Sequence, residues 1–333
     1  MRFPIAQTIR VASHIWKMRR KGRERFPLVL MLEPLHACNL SCSGCGRIRE
    51  YKDSIDKILS LDSCLHAVDE ADAPVVSISG GEPLLYPSIS ELVSEILRRG
   101  RVVYLCTNGV LLGEKLHLFR PHKLFNINVH LDGLQNTHDT IVERRGVFER
   151  AVKNIALAKK NGFTVCTNTT VYKETDVGEI KELFEYLTRL GVDGMLISPG
   201  FSYEYVGDKT LFMERKEIQE KFLEILSFQR KYRIWSTPLF LEFCAGKRDY
   251  RCTPWGNVTY NIKGWKAPCY LITDRHYDSF DEFMHGVDWD YYSRRLDRRC
   301  ANCMMHSGFE ATAALQVGKS LKDLLRMSIW SIF

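Results

Sequence analysis

Glu33-Pro34-Leu35-His36-Ala37-Cys38-Asn39-Leu40-Ser41-Cys42-Ser43-Gly44-Cys45 decides how the rest of this chain is read. It follows the apolar run Pro27-Leu28-Val29-Leu30-Met31-Leu32, so a strand is expected to end in a cysteine loop. Three thiolates spaced C-x3-C-x2-C can converge on one iron–sulfur cube and leave its fourth iron without a protein ligand, free to chelate a small molecule. The competing reading is a structural zinc site with His36 as fourth ligand. Gly80-Gly81-Glu82-Pro83, placed after the next expected strand, is hard to explain with zinc. Its glycines let the backbone approach a ligand closely and Glu82 offers an acceptor to an ammonium group, although such a tetrapeptide alone marks only a turn.

The 333 residues, 45% of them hydrophobic, can bury one large core or one core with a smaller appendage. Eleven cysteines scattered through a chain without a cleavable signal segment point to reduced thiols and metal ligation, and to the cytoplasm. No run of about eighteen apolar residues occurs, so no segment is expected to span a bilayer. The net charge of +7 is concentrated in Lys17-Met18-Arg19-Arg20-Lys21-Gly22-Arg23-Glu24-Arg25. That block follows a stretch in which Ile5, Ile9, Ala12 and Trp16 fall at helical spacing, with Ile15 alongside. A basic amphipathic helix of this kind either lies in an anionic interface, here the inner face of the membrane, or docks as a solvated helix on the body of the protein. The tail Lys319 to Phe333, with Leu321, Leu324, Leu325, Ile329, Trp330 and Phe333, repeats the pattern. The basic run has no interleaved aromatics, and no nucleic-acid partner is expected.

Strands and helices then alternate. Apolar residues suggest a helix over Ser54 to Ala71, then strand Val75 to Ser79, helix Ile89 to Arg99, and strand Val102 to Leu105 running into Cys106-Thr107-Asn108-Gly109. Strand Phe125 to Leu131, helix Val147 to Lys160, strand Phe163 to Val171, helix Val177 to Leu190 and strand Met195 to Ile197 continue the rhythm. About six such units imply an α/β fold with a parallel sheet, a partial (βα)6 TIM-like barrel active at the strand C-terminal ends. Cys106 should point toward the reaction centre from such an end, although a lone cysteine is more often a small buried hydrophobe. After the helix Lys216 to Tyr232 the pattern changes. The expected division is a basic helix over 1–26, a barrel over 27–235 and a Cys-containing extension over 236–333. In the extension Cys252, Cys269, Cys300 and Cys303 ligate a second cluster or a zinc, or two of them are ordinary buried residues.

Cys38, Cys42 and Cys45 with Gly80-Gly81-Glu82-Pro83 resemble the motifs of the radical S-adenosylmethionine superfamily. The resemblance implies a [4Fe-4S] cluster on the three cysteines and S-adenosylmethionine at the open iron. It places Glu82 at the methionine amino group and Gly80, Gly81 and Asn108 among the cofactor contacts, with Asp132, Asn168 and Ser198 either contacts to ribose or adenine or strand-end caps. It also implies an electron donor such as flavodoxin or ferredoxin. Many members carry an aromatic where this chain has Gly44, so packing on adenine must fall to another residue. Val129-His130-Leu131-Asp132-Gly133, Ile197-Ser198-Pro199, Gly264-Trp265-Lys266-Ala267-Pro268-Cys269 and Cys300-Ala301-Asn302-Cys303-Met304 are similar to the adenosylhopane synthase family of hopanoid biosynthesis. Ser307 departs from that likeness, since a cysteine is expected there. The implied reaction adds a 5'-deoxyadenosyl radical to the terminal alkene of diploptene, a polycyclic terpenoid lipid. Completion needs one hydrogen atom, for which Cys106 is the expected donor or relay.

Overall fold

The computed structural model describes residues 3–332. Its strands are β1 (Val29–Leu32), β2 (Val75–Ile78), β3 (Val102–Thr107), β4 (Phe125–His130), β5 (Thr164–Val171), β6 (Gly194–Pro199), β7 (Asn257–Asn261), β8 (Gly264–Pro268) and β9 (Thr273–Tyr277). They form one sheet in the order β6-β5-β4-β3-β2-β1-β7-β8-β9. Neighbours from β1 to β6 are parallel and follow sequence order, with helices in the connections, as the alternation implies.

Side-chain alternation gives the sheet two faces. Leu105, Ile127, Val129, Val165 and Ile197 are fully buried in the main core, which the helices Leu61–Ala71, Ile89–Arg98, Val147–Lys160 and Val177–Arg189 complete. The alternate residues carry polar groups, and register aligns them: Cys106 opposite Asn128, Asn128 opposite Cys166, His130 opposite Asn168, and Thr170 opposite Ser198.

Some expected boundaries move for local reasons. The helix expected from Ser54 begins at Leu61, where the Ser60 hydroxyl caps it by accepting the Ser63 N–H at 3.0 Å. Residues ahead of it form a short 3-10 turn, Lys52–Ser54, and a bridge between Leu35 and Ile58. The helix expected over Lys216 to Tyr232 is Arg215–Ile225 followed by a 3-10 turn, Leu226–Arg230. The separation at residue 235 does not divide the sheet. β7 lies parallel to β1, pairing Val29 with Asn257, and β8 and β9 follow antiparallel. An open edge at β1 would expose unpaired backbone groups, and the extension covers it.

The helix Ile5–Arg20 lies across the N-terminal end of the strands, where Gln7 enters the barrel. Its side-chain N–H donates to the Asn126 amide oxygen at 2.8 Å, and the Tyr104 hydroxyl donates to its carbonyl at 2.8 Å. The helix Leu321–Ile332 lies beside it, with Phe3 and Trp330 rings 5.4 Å apart.

Candidate active site

The cysteine loop leaves the C-terminal end of β1, and the Gly80-Gly81-Glu82-Pro83 turn leaves the adjacent β2. The two glycines serve an approach of backbone to backbone. A Cβ at Gly81 would fall onto the Ala37 and His36 carbonyls, and one at Gly80, whose φ is 110°, onto the Leu35 carbonyl. Gly81 and Glu82 N–H groups donate to Leu35 and Ala37 carbonyls at 3.1 and 2.9 Å. The glycines thus also serve a close contact with the cysteine loop, which the turn clamps against β2.

The chemistry of the loop fits an iron–sulfur cluster. Among the described residues no cysteine is in a disulfide, and the three loop thiols are each partly buried. Cys38 and Cys42 lie within electrostatic reach of each other and of Cys45. Burial, reinforced by these neighbours, pushes Cys38 up to about 12 and Cys42 well above the usual thiol range. Such thiols ionise against a bound cationic centre, which a cluster's irons supply. His36, the fourth ligand that a zinc site would use, lies inside the protein. Its ring is fully buried, stacked on Tyr51 at 3.9 Å, with Nε2 3.6 Å from the Glu33 carboxylate.

Glu82 is fully buried, and its carboxylate ties β2 to β3. It accepts the Leu84 N–H at 3.1 Å, the Thr107 hydroxyl at 2.7 Å and the Asn108 N–H at 2.9 Å. Burial raises it to about 7 despite these donors. A carboxylate has about four acceptor sites, so one more cationic partner can be accommodated. Asn108 also donates to the Asn39 side chain at 2.7 Å, joining the end of β3 to the cysteine loop.

Cys106 sits just inside this end on the inner face of β3. Its sulfur accepts from the Asn128 side-chain N–H at 3.6 Å, and Cys166 donates to the Asn128 carbonyl at 3.5 Å. Burial pushes the Cys106 thiol up to about 11, so it stays S–H at neutral pH.

Asp132 and Asn168 are brought together, with His130 between them. Asp132 is fully buried and accepts the Thr170 N–H at 2.8 Å while pairing with His130 Nε2 at 2.7 Å. Burial opposes charge on His130, but Asp132 outweighs it and raises the imidazole pKa. His130 Nδ1 lies 3.5 Å from the Asn168 amide, and the partly exposed ring is what this group presents. Ser198, opposite Thr170 in register, lies 3.1 Å from His306 Nδ1. Neither histidine was singled out by the sequence.

A tyrosine fills the place beside Gly44. A Cβ there would run into the ring and hydroxyl of Tyr172, the residue after β5. Past Cys45, Arg47 is buried in an ion network: its guanidinium is 2.7 Å from Glu33 and 2.9 Å from Glu50, and it donates to the Tyr270 carbonyl at 2.8 Å. Lys266 joins at 3.3 Å from Glu50. Burial would raise the Glu33 carboxyl, but Arg47, His36 and Lys266 overcome it and hold it at about 2. Pattern reading missed this network because a buried charge is recognised only by its partners.

Through Tyr270 the network reaches Cys269, which together with Cys252, Cys300 and Cys303 lines one cavity between β8, the segment before β7 and the helix His306–Gln316. Ser307, expected as cysteine, lines the same cavity. All four thiols thus line one cavity. No group of three His, Cys, Asp or Glu side chains is drawn into a single-ion shell among the described residues.

Comparison with known proteins agrees with this geometry. Residues 32–187 match the model of the Radical SAM superfamily, and residues 195–327 match a domain of unknown function, DUF3463. A GTP 3',8-cyclase of Clostridium perfringens (strain SM101 / Type A) is 29% identical over 253 residues, 70% of this chain and 77% of the relative. An AdoMet-dependent heme synthase of Methanosarcina barkeri is 32% identical over 170 residues, 50% of this chain and 48% of the relative. The fold is similar to that of Streptococcus suis SuiB bound to S-adenosylmethionine, with a TM-score of 0.67 and 16% identity over 93% of this chain and 78% of that one.

Proposed function

We propose that this chain, a radical S-adenosylmethionine enzyme through residues 32–187, adds the 5'-deoxyadenosyl group to the terminal alkene of a polycyclic terpenoid, diploptene in the adenosylhopane synthase reading. When bound, the cluster and S-adenosylmethionine supply the 5'-deoxyadenosyl radical. Cys38, Cys42 and Cys45 would hold the cluster. Glu82 would accept the methionine ammonium, and Tyr172 would pack on adenine in place of a residue at position 44.

The observation that carries the reading is Cys106, a protonated thiol held on the inner face of the barrel next to the Glu82 site. Addition to a 1,1-disubstituted alkene leaves a tertiary carbon radical that needs one hydrogen atom. Cys106 provides it: the S–H bond breaks, the stronger tertiary C–H bond forms, and a sulfur radical remains. That sulfur takes up an electron from an external one-electron donor of the flavodoxin or ferredoxin class, and a proton from solvent. Donation of the atom requires the thiol form, which burial favours at Cys106.

A second reading, peptide modification, is favoured by the four-cysteine cavity, a fitting place for an auxiliary cluster. The deciding experiment incubates reconstituted protein with S-adenosylmethionine, a reductant and diploptene, followed by mass spectrometry. An adenosylated lipid supports addition. Only 5'-deoxyadenosine and methionine, with the lipid unchanged, would sink the terpenoid reading.

A further inference from the structure

The helix Ile5–Arg20 turns its apolar stripe away from the protein. Ile5, Ile9, Ala12 and Trp16, at i, i+4, i+7 and i+11, are all exposed, Ile9 at 58% and Trp16 at 61%. The opposite face, Gln7, His14 and Met18, is buried, and two of those three side chains are polar. The helix Leu321–Ile332 repeats the inversion. It buries Asp323 and Trp330 and exposes Leu321 at 80%, Leu325 at 64% and Ile329 at 59%.

The two helices are antiparallel neighbours. Phe3 N–H donates to the Ser331 carbonyl at 3.4 Å at one end; toward the other, Arg19 donates to the Leu315 carbonyl of the preceding helix His306–Gln316 at 2.5 Å and lies beside Gly318, just ahead of Leu321. Tertiary structure thus brings two exposed apolar stripes from opposite ends of the chain near each other. The same arrangement gathers Arg19, Arg20, Lys21 and Arg23 with Lys319 and Lys322 at one end of it, all exposed. The acids in these segments are Glu24 and Asp323, and Asp323 is buried in an ion pair with Arg248 at 2.8 Å.

We propose that this pair of stripes docks the enzyme on an anionic lipid bilayer. A surface apolar beneath and anionic at its headgroups matches an apolar face with a basic collar, and no helix among the described residues is long and apolar enough to cross a membrane. Docking is therefore peripheral. Water alone gives no reason to expose both stripes while polar Gln7 and His14 face the protein.

The test is co-sedimentation of the reconstituted full chain with vesicles of phosphatidylcholine alone, or of equal parts phosphatidylcholine and phosphatidylglycerol. The chain should bind the mixed vesicles, and raising salt from about 50 to about 500 mM should weaken binding by on the order of tenfold. Ile9→Glu combined with Leu325→Glu should remove binding at an unchanged thermal midpoint, because both side chains point outward. Leu223→Glu, a charge at an exposed leucine elsewhere, should bind as the wild type does. Absence of wild-type binding, or wild-type affinity in the double variant, would overturn the proposal. So would a dimer in sedimentation velocity that the double variant dissolves, in a protein that ignores vesicles. The vesicles contain no terpenoid, so failure here leaves the proposed reaction standing.

Discussion

Burial favours the protonated form of both Cys106 and Glu310. At Cys106 burial keeps a hydrogen atom on sulfur, and Cys106→Ala should leave 5'-deoxyadenosine release within about twofold while cutting the yield of correctly saturated product by on the order of tenfold or more. Chiral chromatography of the lipid product reads this. Wild-type configuration and yield from the variant would make Cys106 a packing residue. At Glu310 burial raises the carboxyl to about 7, although its oxygens accept the Thr237 N–H at 2.8 Å and hydroxyl at 2.7 Å. A folded pKa above the ordinary 4.5 means that the stability this group contributes is full below pH 4.5 and is lost as pH rises through about 7. Glu310→Gln keeps both bonds, with its amide nitrogen donating to the Thr237 oxygen. It should therefore stabilise the protein by about 1–3 kcal/mol at pH 8 and change little at pH 5, by urea denaturation. Equal effects at the two pH values would place the ionisation elsewhere.

At the scale of elements, the clamp between the β2 turn and the cysteine loop is the sensitive joint. Gly81→Ala places a methyl group on the Ala37 carbonyl, a backbone atom that cannot yield without moving the loop holding Cys38. Stability should fall by roughly 2–4 kcal/mol, and reconstituted iron and sulfide per chain should fall with it. Normal iron content would show that the loop tolerates the shift. The motif was legible because glycine spacing survives in any reading of the sequence. Its reason was not, since the atoms that exclude a Cβ belong to a loop more than forty positions earlier. The same holds for Gly44, whose missing side chain leaves room for Tyr172, delivered by the end of β5. Periodicity, by contrast, located β1 to β6 to within a few residues, because alternation is a property of neighbours in sequence, while β7, also parallel, was missed.

For the whole molecule, the extension is a continuation of the barrel sheet that carries its own thiol-lined cavity. If Cys252, Cys269, Cys300 and Cys303 hold a metal centre, Cys300→Ser with Cys303→Ser should reduce bound metal to what the first loop retains. The thermal midpoint should drop by several degrees, since metal binding there is coupled to folding of the segment around β7 to β9. Metal analysis by plasma mass spectrometry decides it, and unchanged content would leave the four as ordinary buried thiols.

What the sequence determined by itself was chemistry carried by residue type at short spacing: the C-x3-C-x2-C loop, the GGEP turn, Cys106 at a strand end, and the βα rhythm that builds the parallel sheet. These are local, and local pattern is what a linear chain displays. Tertiary structure alone decided which distant groups meet. It set His130 between Asp132 and Asn168, linked Arg47 to Tyr270 across more than two hundred residues, and covered the β1 edge with β7. It also turned the Ile5 to Trp16 stripe outward beside the Leu321 helix, when periodicity fits an inward or an outward face equally well. Phe333, counted in that tail pattern, lies outside the described residues. The direction an apolar stripe faces depends on what packs against the other side, here Gln7 bonded to Asn126 and Tyr104.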